Sequence, residues 1–123
     1  MQATKQTTIA IIDDDCALLE ALRDLFETVG ISSLVYGSAD AFLDSGDLSR
    51  VDCVLADVRM PGTSGLALLD AVVRAEGPPV CMMSSFAEST IRQHALSAGA
   101  ALFLAKPLNS QDLLEFVAQA TSR

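Results

Sequence analysis

The stretch Cys53-Val54-Leu55-Ala56-Asp57-Val58-Arg59-Met60-Pro61-Gly62-Thr63-Ser64-Gly65 decides how the chain is read. It starts as a short apolar run, ends that run on an acid at Asp57, and passes into Pro, Gly, Thr and Ser, the residues of turns. Leu66, Leu69, Val72 and Val73 then recur at helical spacing until Gly77-Pro78-Pro79 closes the helix. Strand, acid-bearing loop and helix form one unit.

The unit repeats on both sides. Upstream, Thr8 to Ile12 is a β-branched strand ending in Asp13-Asp14-Asp15, followed by Leu18, Leu19, Leu22, Leu25, Phe26 and Val29 on a helix that Gly30 stops. Ser32 to Tyr36 reads as a second strand, and Ser38 can cap a short helix carrying Phe42 and Leu43. Downstream, Val80 to Met83 is a strand ending in Ser84-Ser85, and Ile91, Ala95 and Ala98 mark a fourth helix ending at Gly99. Ala101 to Ala105 is a fifth strand ending in Lys106-Pro107. Asn109 or Ser110 can cap a last helix with Leu113, Phe116, Val117 and Ala120 on one face. Five β–α units with apolar strands imply a parallel sheet covered on both faces by right-handed crossovers.

The bulk composition fits that plan. A length of 123 residues, half of them hydrophobic, suits one domain, residues 1–123, with one well-buried core. The net charge of −8 argues against gripping nucleic acid or an anionic membrane surface. Met1 to Thr8 lacks the apolar stretch of a signal peptide, and no apolar run is long enough to span a bilayer. Cys16, Cys53 and Cys81 form no CxxC pair and are expected to be reduced and mostly buried. A cytoplasmic location is the default expectation.

In open parallel sheets the residues that follow the strands gather at one edge, where ligands bind. Here those residues are Asp13 and Asp14, Asp57, Ser84 and Lys106. Three carboxylates and one ammonium sum to −3 + 1 = −2. Such like charges raise one another's pKa, and a divalent cation brings the sum to zero. Mg²⁺ suits this set, because it prefers oxygen ligands and takes one or two carboxylates, waters and a phosphate oxygen. The chemistry that fits is phosphoryl transfer onto a carboxylate: Asp57 attacks, the metal and Lys106 offset phosphoryl charge, and Ser84 hydrogen-bonds a phosphoryl oxygen once it is there. Each residue alone has an ordinary reading, such as helix-start acid, loop acid, turn serine or solvated lysine. Their shared edge is what carries the argument.

The order and spacing of these residues resemble the receiver domains of bacterial two-component response regulators. Ile11-Ile12-Asp13-Asp14-Asp15 is similar to the family's acidic pair after the first strand, and Leu55-Ala56-Asp57-Val58-Arg59-Met60-Pro61-Gly62 to its phosphoacceptor strand and turn. Ser84 stands at the Ser/Thr switch, and Ala98-Gly99-Ala100 with Phe103-Leu104-Ala105-Lys106-Pro107 looks like the fifth-strand signature. The resemblance runs from about Thr8 to Thr121. It implies a flavodoxin-like (βα)5 fold with strand order 2-1-3-4-5.

It further implies Mg²⁺ held by Asp14, Asp57 and the backbone carbonyl of Arg59, with Asp13 acting through water. The phosphoryl donor would be a sensor histidine kinase, a phosphotransfer protein or a small acyl phosphate. The domain would be a signalling switch, not a classical enzyme, catalysing only its own phosphorylation and dephosphorylation. Phe103 matches the aromatic that swings inward when the Ser/Thr moves. The fourth helix, fifth strand and fifth helix form the surface where such domains dimerise or meet partners. Residues at the positions of Arg59 and Phe86 sit over the phosphoryl group in relatives, and a bulky Phe86 is expected to exclude water and slow dephosphorylation. His94, the only histidine, is expected to be structural or interfacial. The Asp57–Gly65 phrase is also similar to receivers that carry a helix-turn-helix output domain.

Three rivals share parts of the pattern. Asp13-x-Asp15 imitates the nucleophile motif of haloacid dehalogenase-type phosphatases, but that reading leaves Asp57 without a role. A flavodoxin needs a phosphate cradle after the first strand, and three acids there would repel the phosphate. A phosphorylation-independent interaction module is the third.

Overall fold

The computed structural model describes residues 6–86 and 89–121, so the start at 1–5 and the end at 122–123 lie outside the described residues. Five strands alternate with five α-helices: β1 (Thr8–Ile12), α1 (Cys16–Thr28), β2 (Ser32–Tyr36), α2 (Ala39–Ser45), β3 (Cys53–Asp57), α3 (Gly65–Arg74), β4 (Val80–Ser84), α4 (Ser89–Ser97), β5 (Leu102–Ala105) and α5 (Ser110–Thr121). One 3₁₀ turn, Asp47–Arg50, precedes β3 and was not expected. The sheet is parallel throughout, in the expected order β2-β1-β3-β4-β5.

Alternation along the central strands builds a core on each face. Ala10, Ile12, Val54, Ala56, Val80 and Met82 face one cluster with Phe42, Leu68, Leu69, Val72 and Phe103. Ile9, Ile11, Cys53, Leu55, Cys81 and Met83 face the other, under Leu19, Leu22 and Phe26 of α1 and Leu113, Phe116 and Val117 of α5. β1, β3 and β4 are therefore apolar on both sides. The edge strands are not: every residue of β2 is half-buried, and only Phe103 of β5 is fully buried.

The helix boundaries follow local chemistry. Asp15 caps α1 by accepting from the backbone N–H groups of Ala17 and Leu18. Ser38 and Ser64 do the same for α2 and α3, and Asn109 accepts from Gln111 and Asp112 ahead of α5. α3 differs from its sequence reading in two ways. Leu68 takes the buried stripe while Val73 is 45% exposed, and the helix ends at Arg74, before Gly77. Glu76, at φ +54°, supplies the left-handed turn. Gly77 is needed for closeness instead, since a Cβ there would lie 2.9 Å from Val72.

Candidate phosphoacceptor site

Strand pairing continues past the strands and sets the backbone at the carboxyl edge. The N–H of Asp13 donates to Tyr36 O at 3.1 Å, that of Val58 to Met83 O at 2.9 Å, and that of Lys106 to Ser84 O at 2.8 Å. These bonds bring Asp13, Asp57, Ser84 and Lys106 to one edge. Asp57 and Ser84 are the last residues of β3 and β4, not the first residues of the loops.

Asp13 and Asp57 are buried, and Asp14 is exposed. Each of the three offers a carboxylate oxygen within 4.8 Å of the others. The Lys106 ammonium lies 2.7 Å from Asp13 Oδ2 and 3.5 Å from Asp57 Oδ2. Asp13 Oδ1 accepts the Asp15 N–H at 2.9 Å. Both oxygens of Asp13 are thus engaged. The Asp15 carboxylate is turned away into the α1 cap, so Asp13-x-Asp15 does not present two acids to a substrate.

Burial pushes the Asp57 carboxyl above its ordinary range. Lys106 pulls it down, the Asp13 charge adds to the rise, and a backbone hydrogen bond from Arg59 favours the anion. Desolvation therefore leads, ahead of the like-charge repulsion expected from the sequence. At Lys106 burial disfavours the ammonium, but the bond to Asp13 and the charges of Asp13 and Asp57 outweigh it and raise its pKa. Two buried acids sharing one lysine, with burial working against the Asp57 anion, form a site short of positive charge. Oxygen-only donors at this spacing suit Mg²⁺.

Ser84 is buried at the end of β4, with its hydroxyl turned onto the following turn. It accepts from the Phe86 N–H at 2.9 Å and donates to the Phe86 carbonyl at 3.2 Å. Phe103 is packed inward among Val80, Met82 and Ala95. The Arg59 guanidinium stacks over the Phe86 ring, 4.8 Å from its centroid, while that ring is 54% exposed. His94 is exposed in the last turn of α4, outside the core, and lines a cleft with Arg59, Ile91 and Thr90. Cys53 and Cys81 are buried free thiols, each pushed up to about 12 by burial, whereas Cys16 is exposed.

The model of the response regulator receiver domain matches residues 9–118. The chain belongs to that family. Among curated receiver-containing relatives, the transcriptional regulatory protein FixJ of Azorhizobium caulinodans is 36% identical over 116 residues, 94% of this chain and 55% of FixJ. Nodulation protein W of Bradyrhizobium diazoefficiens is 31% identical over 123 residues, 99% of this chain and 54% of that protein. The chain spans about half the length of these relatives. Among solved receiver structures, FixJ-N superposes with a TM-score of 0.82 at 25% identity, covering 95% of this chain and 94% of that one. A CheY-like receiver from Methanospirillum hungatei gives 0.84 at 27% identity, covering 94% and 93%. Among the described residues no helix is long and apolar enough to cross a membrane.

Two supports of the receiver site escaped the sequence reading. A Cβ on Gly65 would fall 1.8 Å from the Asp57 carbonyl oxygen, so α3 begins directly against the Asp57 backbone. Asp40 of α2 bonds Thr63 in the loop after Asp57. Gly65 carried a signal, a glycine on the first turn of a helix that alanine would favour. Asp40 carried none, because a first-turn acid needs no partner to be explained.

Proposed function

We propose that this receiver is a phosphorylation-dependent switch whose acceptor is Asp57, fed by a histidine kinase or phosphotransfer protein, or by a small acyl phosphate. The observation that carries the reading is the placement of the Asp57 carboxylate within 4.8 Å of Asp13 and Asp14 and 3.5 Å from the Lys106 ammonium. An Asp57 oxygen attacks phosphorus. The bond from phosphorus to the donor nitrogen or oxygen breaks, and its electron pair leaves with the donor. Lys106 is placed to stabilise charge on the phosphoryl oxygens.

Asp14, Asp57 and the Arg59 carbonyl would hold Mg²⁺, with Asp13 acting through water, in keeping with both Asp13 oxygens being engaged. When bound there, the ion would supply the positive charge that the site lacks. Ser84 would leave Phe86 to hydrogen-bond the phosphoryl group, pulling the β4–α4 turn inward and letting Phe103 report the change on the α4/β5/α5 surface. That surface would engage a second copy or an output partner. Relatives that are transcriptional regulatory proteins, FixJ and TdiR among them, favour transcriptional control as the output.

The test is incubation with acetyl phosphate and Mg²⁺ followed by intact mass. One phosphoryl adduct is expected, lost in Asp57→Asn and in excess chelator. An adduct that persists in Asp57→Asn overturns the assignment, and no adduct on the wild type would favour a phosphorylation-independent module.

A further inference from the structure

The loop from Val58 to Ser64 links the acceptor to α3 and includes Arg59, yet it belongs to no helix or strand. Its hold on the sheet side is clear. Val58 N–H donates to Met83 O, Gly65 N–H donates to Val58 O at 2.9 Å, and Met60 is buried in the core. Its outer half, Pro61 to Ser64, has no core residue. Ser64 is tied to α3 by its cap, and what holds Thr63 is Asp40, 23 positions earlier on the first turn of α2.

Both carboxylate oxygens of Asp40 are committed to the loop. Oδ1 accepts the Thr63 hydroxyl, and Oδ2 accepts the Thr63 N–H at 3.4 Å. Gly62, at φ +78°, passes so close that a Cβ there would lie 3.0 Å from Asp40 Oδ2. A first-turn acid is favourable in any helix through the helix dipole. That ordinary role does not predict the paired contact with Thr63.

We propose that Asp40 is a positioning residue for the phosphoacceptor site. It clamps the outer loop, and through the loop holds the Arg59 backbone beside the Asp57 carboxylate, where the metal site needs it. The proposal rests on the reading of Asp57 and its metal site given above. The clamp is exposed, so its contribution to global stability is small. Its effect falls on the loop, which has few other holds.

The experiment is an amide NMR titration of the isotope-labelled receiver with Mg²⁺, alongside amide hydrogen exchange. Asp40→Ala and Thr63→Val are each expected to weaken Mg²⁺ binding about tenfold, the low end for loss of a partner behind a metal ligand. Exchange at Gly62 and Thr63 should quicken in Asp40→Ala. Asp40→Asn keeps an acceptor without the charge, and Thr63→Ser keeps the hydroxyl; both should stay within about twofold of wild type. Wild-type binding with Asp40→Ala and Thr63→Val unchanged overturns the clamp alone. So does Asp40→Asn as weak as Asp40→Ala beside a normal Thr63→Val, since charge would then be the cause. If Asp40→Ala does not fold, Thr63→Val decides. A wild type that binds no Mg²⁺ fails the metal-site reading itself, and the clamp with it.

Discussion

The Lys106 ammonium reaches back 93 positions to Asp13, 2.7 Å from its Oδ2, and sits farther, at 3.5 Å, from the Asp57 oxygen it would serve. Before any phosphoryl group arrives, Lys106 is therefore chiefly the counter-ion of a fully buried acid. Its side chain is 18% exposed, so little water shares the task.

Removing that counter-ion has two opposite consequences. Lys106→Met strands Asp13 and is expected to cost about 3 kcal/mol, the lower end for breaking a buried pair. It also removes a cation that competes for the acidic cluster, so Mg²⁺ binding should tighten about threefold or more while phosphorylation slows. Asp13→Asn should do the reverse to Mg²⁺ binding. Urea denaturation and Mg²⁺ titration of both variants check the pair, and weaker Mg²⁺ binding in Lys106→Met contradicts it.

Asp57 makes the receiver's stability depend on pH. Its folded carboxyl titrates above the ordinary value of 3.8, so the folded state binds the proton more tightly than the unfolded chain. Between 3.8 and the raised folded value, stability then falls as pH rises. Asp57→Asn removes that loss. Without metal at pH 7 it should raise Tm, and the gain should vanish on acidification below the ordinary carboxyl range. A gain that is unchanged at low pH would point to packing instead of charge.

Gly65 ties folding to the Asp57 backbone. Gly65→Ala improves intrinsic helix propensity by about 1 kcal/mol, yet its methyl would meet the Asp57 carbonyl oxygen at 1.8 Å. The expected net outcome is a loss of about 3 kcal/mol, with phosphorylation at Asp57 falling further than the folded fraction. Denaturation curves beside intact-mass phosphorylation rates separate the two effects.

Phe86 is half-exposed and stacked by Arg59 near the turn that holds Ser84. An apolar ring there should keep water from the phosphorylated acceptor, so the adduct should persist for minutes or longer. Phe86→Ala should shorten its lifetime about tenfold, or roughly 1.4 kcal/mol in barrier. A wild-type half-life of seconds, followed by intact mass after donor removal, refutes this.

Much of the receiver was legible in the chain because its signals are local. Ile9 to Ile12 and Cys53 to Ala56 carry apolar runs too short for helices, and each ends on its acid. Ser38 and Asn109 cap helices with their own neighbours' N–H groups, within three positions. The order of the five units set the sheet, and the sheet set which acids share an edge. Leu68 was left out of the α3 stripe and Val73 was put into it, because the stripe on a short helix depends on the angle at which it docks.

What the sequence by itself determined is the list of chemistry-bearing residues and the edge at which they meet. Backbone periodicity and parallel connection suffice for that, and both operate within single β–α units. Only the tertiary structure decided how those groups divide their bonds. It showed Asp13 taking the nearer share of Lys106, Asp15 spent on a cap, Ser84 turned onto Phe86, and Asp40 committed to Thr63. Such choices depend on side-chain distances between residues far apart in the chain, and on how much water each group has lost. No spacing along the chain encodes either quantity.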